Sequence, residues 1–384
     1  MIKYYVWLQT ALGQASVRGI KALKEYSTAE NIYRLFKNNE KDIKHLSKKD
    51  LERLADTNLE KAEQIVNQCK ENNIDIIFYG SKDYPYCLSV IDDAPIVIYV
   101  KGLMPDFDNT PTICIVGPRK VSDEGKKAAF SLSFRLAAAG FNVVSGGAVG
   151  TDTFVHAGAL KADGKTAVCM GCGILNDYLP QNKKLRDAVS KSGCLISEYP
   201  PESPVSRYTF PVRNRIMSAL SLGTVVIEAP LKSGALITAR HSNEQGRDVF
   251  VIPGPLKNSN YEGSNELLRD GAKPLLDVSD IFSEYILRFP DKINIEKAFE
   301  KSPTEKKHKN FDKNIKKVEN FQKKLPETLS KEAKIVYNYL DKQKFLPEDI
   351  SVEGISNSKL LSILTELEME FLIKAIPGGM YEKL

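Results

Sequence analysis

Five short runs between residues 117 and 240 carry glycines, cations or both, and as a set are suited to holding anions. They are GPRK at 117–120, SGGAVGTD at 145–152, GCG at 171–173, FPVRNRI at 210–216, and EAP at 228–230 leading into KSGALITAR at 232–240. Glycine lets a backbone approach a phosphate closely, and a helix that opens on such a loop presents the positive end of its dipole. For any single run the alternative is that its glycines only make a tight turn between strand and helix. With Arg119, Arg213, Arg215 and Lys232 in or beside them, the runs as a set point to phosphate. Tyr199, Tyr208 and Phe210 lie among them; each either stacks on an unpaired base or packs against the irregular 198–211 loop.

Evidence for catalysis is thin. The 145–150 loop is not GxGxxG and no acidic residue closes the strand after it, so a ribose has no partner. No GxxxxGK followed by Ser or Thr occurs, which argues against ATP hydrolysis. Asp152 and His156 share a helix face, but no further His or Cys joins them at ligand spacing; a capping Asp beside a packed His is the better account. Cys169 and Cys172 form a CxxC that ends a strand and has no second pair, so redox and zinc roles rank low. Cys114, Cys169 and Cys194 read as small buried hydrophobes. No metal and no cofactor is expected.

The elements that must position these runs follow from the hydrophobic pattern. Residues 5–68 show apolar spacings of three and four, a small helical domain over 1–72, with Ser27 to Glu30 fitting a capping box. From Ile74 short β-branched runs take over, at 75–79 and 96–102. A regular alternation then sets strands at 112–117, 141–145, 166–170, 194–197, 224–228 and 248–252 against helices at 123–139, 151–162, 182–192, 212–222 and 235–245. Near-continuous apolar strands joined by helices give a parallel sheet covered on both faces, an α/β doubly wound Rossmann-like domain over 73–285. The carboxyl ends of its strands carry all five runs. Residues 286–330 read as a lysine-rich linker. Over 331–384, two amphipathic helices and a hairpin outline a winged helix.

With 384 residues, 42% hydrophobic, the chain has material for two or three folded units. It holds 54 Lys and Arg against 49 Asp and Glu, and the 45 residues from 286 to 330 alone carry an excess equal to the whole net charge of +5. Nine of the 13 arginines nevertheless lie in 110–285, and arginine forks, unlike a lysine run, grip phosphate at two points. The longest apolar runs fall short of a membrane span. The start has no signal-peptide pattern, and six dispersed cysteines suit a reducing cytoplasm.

Taken together, GPRK, SGGAVGTDTFVHAGAL, CGILNDYLPQN, SEYPP, FPVRNRIMSALS, EAPLKSGALITARHSNEQGRDVFVIPG and GSNELLRDGAKPL resemble the DNA-processing protein A (DprA, also called Smf) family, densely over about 75–282. The resemblance implies a dimeric protein that binds single-stranded DNA, protects it, and loads the recombinase RecA onto it in natural transformation and recombination. It implies a helical N-terminal domain of sterile-alpha-motif type and a C-terminal winged helix. It carries strand contact to Arg119 and Lys120, to Ser145, Gly146 and Gly147, to Asn182, and to Phe210, Arg213, Asn214 and Arg215. Ser233 and Thr238 fall in a family motif as contacts or as structural residues, and dimer contacts fall at about 263–282. Pro118 stands where the family usually has Ser, and Val149 where a basic residue is common.

An enzyme is the competing reading. Rossmann folds that split nucleoside monophosphates pair a glycine-rich loop with an Arg and a Glu, parts that Arg213 and Glu228 would take, although EAPLKSG lacks their PGGxGT stretch. The 331–384 region carries seven basic and nine acidic residues, which favours contact with a partner over generic duplex binding.

Overall fold

Apolar β-branched runs joined by helices pair in parallel, because only a crossover of that length returns the chain to the same edge. The computed structural model describes residues 1–38, 43–300, 329–340, 344–350, 352, 355–370, 372–376 and 380–383. The described residues within Met1–Tyr178 and Leu185–Ile315 make one compact unit, and those within Leu179–Lys184 and Lys316–Leu384 another.

The chain opens with helices α1 (Ile2–Leu12), α2 (Val17–Tyr26), α3 (Ala29–Lys37), α4 (Lys48–Leu54) and α5 (Glu60–Glu71). Next come β1 (Asp75–Phe78), α6 (Tyr86–Ser89) and β2 (Val97–Gly102). The alternation follows: β3 (Thr112–Val116), α7 (Asp123–Ala138), β4 (Asn142–Ser145), α8 (Thr151–Lys161), β5 (Thr166–Met170), α9 (Lys183–Ser192) and β6 (Cys194–Ser197). It continues with α10 (Thr209–Ala219), β7 (Gly223–Val226), α11 (Gly234–Glu244), β8 (Asp248–Val251), α12 (Glu262–Arg269) and β9 (Lys273–Pro274), then α13 (Ser279–Tyr285) and α14 (Ile295–Glu300).

The strands lie in the order β1-β2-β6-β5-β4-β3-β7-β8-β9. From β6 to β9 all neighbours are parallel, and β3 to β7 are buried at every position, as strands covered on both faces must be. Because β3 sits between β4 and β7, the winding reverses there, the switch point outside whose carboxyl ends open α/β sheets generally receive ligands. The sheet is mixed, however: β1 and β2 extend it antiparallel beyond β6. Strand residues do not encode this polarity; the direction from which the chain returns sets it.

The N-terminal helices share a hydrophobic core with the sheet. Tyr5 stacks on Phe78 at 4.2 Å, and Trp7 meets Tyr33 edge-on while its indole N–H donates to the Asp56 carbonyl. Buried Gln9 donates from Nε2 to the carbonyls of Val97 (3.1 Å) and Glu198 (2.7 Å), tying α1 to β2 and to the end of β6. Glu198 is itself buried; its carboxylate takes the Ala15 N–H and an ion pair from Arg215 at 2.6 Å, and Asp93 lies 3.3 Å from the same guanidinium.

Three local expectations shift. Thr28, not Ser27, caps α3, because Ser27 has turned to φ +67 at the end of α2; the capping box that forms joins Ser47 and Asp50. Helix α10 begins at Thr209 rather than 212, since Pro211 is tolerated in a first turn where its missing N–H has no intrahelical partner to lose. Folded structure also runs past 285: the Asn294 N–H donates to the Ala139 carbonyl and Arg135 lies over the Phe299 ring at 4.9 Å. The lysine-rich residues 301–328 lie outside the described residues.

The C-terminal unit contains α15 (Lys331–Tyr339), β10 (Lys344–Phe345), α16 (Asn357–Met369), β11 (Ile373–Ile376) and β12 (Met380–Lys383), the strands paired antiparallel in the order β10-β12-β11. Ser330 and Ser356 cap its helices. Ala333, Val336, Leu360, Leu364 and Leu367 form its core. Among the described residues, no helix is long and apolar enough to cross a membrane.

Arg215→Met leaves the Glu198 carboxylate buried without its cation, and should cost about 3–5 kcal/mol in urea unfolding. The double variant Arg215→Met/Glu198→Gln should recover a large part of that loss, because no buried charge is stranded.

Candidate nucleic-acid interface

The carboxyl edge around β3, β4, β5 and β7 gathers most of the residues expected at a site, and divides them into a buried frame and an exposed face. The frame is built on Arg213, which α10 aims at the ends of β4 and β5. Its Nη1 donates to the carbonyls of Gly146 (2.7 Å) and Cys169, and its Nε to the Asn214 side chain. Arg213 and Asn214 are both buried. A Cβ at Gly146 would stand 2.6 Å from the Arg213 guanidinium, so this glycine makes room for the arginine.

Asp152 supplies the opposite charge. It is buried near the start of α8, where burial pushes its carboxyl up while Arg213 and the Ala148 N–H, 3.1 Å away, draw it back down. Ser145 is fully buried and donates to the Ile115 carbonyl, lacing β4 to β3. Gly150 caps α8 at φ +87, packed where a Cβ would meet the Arg119 carbonyl at 2.3 Å, and the Thr151 N–H donates to the Pro118 carbonyl. The GPRK and SGGAVG runs are therefore packed against each other. Gly147 serves the same packing, its Cα facing Val168.

Other helix starts at this edge are likewise filled by the chain's own groups. At α7, Glu228 is fully buried and accepts from the Ser122 N–H (3.1 Å), the Ser122 hydroxyl and the Tyr261 hydroxyl. At α11, Ser233 caps by accepting from the Ala235 N–H, and Thr238 is buried one turn on. For these loops the glycines and caps satisfy the protein's own backbone, which is the tight-turn alternative.

What faces outward is cationic and aromatic. Arg119 and Lys120 are exposed. The Arg119 guanidinium lies 5.4 Å from the centre of the Phe210 ring and donates from Nη2 to the Tyr178 hydroxyl at 3.3 Å. Tyr178 and Phe210 are 5.3 Å apart, and Arg213 lies 5.9 Å from Phe210 on the frame side. Lys232 is exposed on the loop after β7; Arg207 and Tyr208 are exposed just before α10, with Arg207 over the Tyr208 ring.

Two expected residues stand elsewhere. Arg215 is 1% exposed, and its guanidinium is paired inside the fold with Glu198 and Asp93. Asn182 lies in the other compact unit, buried in the turn Pro180–Asn182. Tyr178 joins the face without a signal in the sequence, because an aromatic ending a loop after GCG carries no periodicity. His156 is fully buried, its Nδ1 2.8 Å from the Thr166 hydroxyl, which donates onward to the Val143 carbonyl. Burial, and secondarily the Arg213 charge, hold its imidazole down at about 3. Burial also pushes Cys169 up to about 12 and Cys172 up to about 11, so both thiols keep their protons at neutral pH.

A family model described as DNA recombination-mediator protein A matches residues 75–286. The DNA processing protein DprA of Bacillus subtilis (strain 168) is 38% identical over 224 residues, spanning 58% of this chain and 75% of that protein. The DNA processing protein DprA of Streptococcus pneumoniae (strain R6) is 37% identical over 202 residues, 53% of this chain and 71% of that one. Among solved structures, the X-ray structure of DNA processing protein A from Streptococcus pneumoniae superimposes with a TM-score of 0.63 at 28% identity, covering 74% of this chain and 98% of that one. DNA processing protein A from Helicobacter pylori, whose structure was described for its single-stranded DNA binding mode, gives a TM-score of 0.51 at 27% identity over 56% of this chain and 96% of that one.

Frame and face respond differently to substitution. Arg213→Leu should lower urea-unfolding stability by about 3–5 kcal/mol, since it strands Asp152 and two buried carbonyls, whereas Arg119→Ala should stay within about 0.5 kcal/mol. His156 adds a pH dependence. The unfolded chain binds a proton on this imidazole below its ordinary value of 6.5, the folded chain only near 3. Stability therefore falls as pH drops through that window, by up to about 1.4 kcal/mol per unit from this group, and His156→Asn should flatten that slope between pH 6 and about 4.

Proposed function

The chain belongs to the DNA recombination-mediator protein A family, and from that premise we propose that it binds single-stranded DNA along the carboxyl edge of its sheet and delivers it to the recombinase RecA. The observation that carries this reading is the exposed Arg119 poised over Phe210. A guanidinium beside an accessible aromatic ring offers a phosphate a charge and a base a stacking surface, the pairing that sequence-tolerant single-strand binders use. In this reading Arg119, Lys120 and Phe210 touch the strand, with Lys232 extending the cationic face. Ser145, Gly146, Gly147, Arg213, Asn214, Ser233 and Thr238 form the frame behind them. In this reading Arg215, engaged with Glu198 and Asp93, has no contact role. The single-strand binding described for the Helicobacter pylori relative supports the same polymer as ligand.

The remaining parts of the proposal concern assembly. Two copies pair through the region about 263–282, a reading supported by Leu276, 80% exposed ahead of α13. The N-terminal helices act as a sterile-alpha-motif-type domain, the C-terminal unit as a winged helix that meets a partner, and the protein works in the cytoplasm. No chemical step belongs to this function. A nucleoside-monophosphate hydrolase would need Glu228 and Arg213 at a substrate, and both are engaged within the protein: Glu228 with Ser122 and Tyr261, Arg213 with two carbonyls.

Titrating oligo-dT across a salt series tests the reading. Arg119→Ala and Lys120→Ala should each weaken binding and reduce the slope of log K against log salt by about 0.7. Wild-type affinity and slope in both variants would sink it. Incubation with nucleoside monophosphates should release no base.

A further inference from the structure

Phe210 and Arg119 make a binding surface only if both are held still, and Tyr178 touches both. Arg119 is exposed, and a free arginine side chain samples many rotamers; ordering it at the moment of binding subtracts from affinity. Here its guanidinium is held at two points, by the hydrogen bond from Nη2 to the Tyr178 hydroxyl and by the face of Phe210. Both contacts restrict the rotamers of the guanidinium before any ligand arrives. Phe210 is fixed in turn: the Tyr178 ring stands 5.3 Å away on one side, Arg213 lies on another, and the chain at Gly171 passes so close that a Cβ there would stand 2.9 Å from Cδ1 of the ring. Tyr178 ends a loop that leaves β5, whereas Phe210 is on α10 and Arg119 follows β3. Three separate carboxyl-edge segments meet at this phenol.

We propose that Tyr178 is a positioning residue for single-stranded DNA binding, holding the Arg119 guanidinium against Phe210 in the geometry that receives a backbone phosphate, without itself neutralising charge on the strand. The role rests on the single-strand reading of the site. It fits the chemistry of a neutral phenol. Burial raises its ionisation above the ordinary tyrosine range, against the opposing pull of Arg119 and Arg213, so at neutral pH the hydroxyl keeps its proton and an oxygen lone pair accepts from Arg119.

The test is a double-mutant cycle on oligo-dT affinity with the full chain: wild type, Tyr178→Phe, Arg119→Ala and the double variant, each across a salt series. Tyr178→Phe keeps the ring against Phe210 and removes only the hydroxyl, so the fold is retained; the urea midpoint checks this. The role requires that Tyr178→Phe weaken binding by about three- to tenfold with an unchanged salt slope. In the Arg119→Ala background the same substitution should have no further effect, because the group it orients is gone. An equal loss in both backgrounds, a fall in salt slope for Tyr178→Phe, or no loss at all would overturn the role. If the wild type fails to bind oligo-dT, or Arg119→Ala binds as well as wild type, the single-strand reading falls and takes this role with it; loss of additivity alone leaves that reading standing.

Discussion

Helix α10 is held from two sides by buried arginines, and the arrangement of the carboxyl edge depends on it. Arg213 and Arg215 are two residues apart, so the helix turns their side chains about 200° away from each other. One reaches carbonyls at the ends of β4 and β5 beside Asp152; the other reaches Glu198 and, through it, the N-terminal helices. Both charges are taken out of water, which is costly unless every partner is in place. Together they allow α10 little freedom to rotate or slide, and Phe210 in its first turn is fixed as a result. A lysine could not do either job, since each depends on a guanidinium that presents several N–H groups in one plane.

The same economy governs the helix starts. In a doubly wound sheet these are the places where a nucleotide phosphate is usually received. Here Glu228 with Ser122, Asp152, and Ser233 occupy them. The cations left exposed at this edge are side chains, Arg119, Lys120 and Lys232, spread over several loops. Dispersed exposed cations favour a ligand whose charges are themselves dispersed, and a polymer of phosphates satisfies that better than a single one.

The change of pattern near residue 73 marks a change of secondary structure and not an edge of the core. Gln9 bonds across it to Val97 and Glu198, and Tyr5 stacks across it on Phe78. Of the arginines near strand ends, Arg213 and Arg215 are buried and engaged within the fold.

Much of this architecture was legible in the chain itself. Apolar runs alternating with helical spacings of three and four identify strands and helices, because those periods follow from backbone geometry alone. The placement of glycine and arginine runs at strand ends, hence the edge that matters, follows from the same pattern. Sequence could not show that Gly146 makes room for Arg213, nor tell an exposed arginine from a buried one: Arg119 and Arg215 look alike until their surroundings are known. It could not foresee the antiparallel entry of β1 and β2, or that Tyr178, 59 residues from Arg119, would accept its hydrogen bond. The physical reason is common to all of these. Local periodicity is set by neighbours along the chain, whereas burial and charge pairing are set by groups that only the completed sheet brings together.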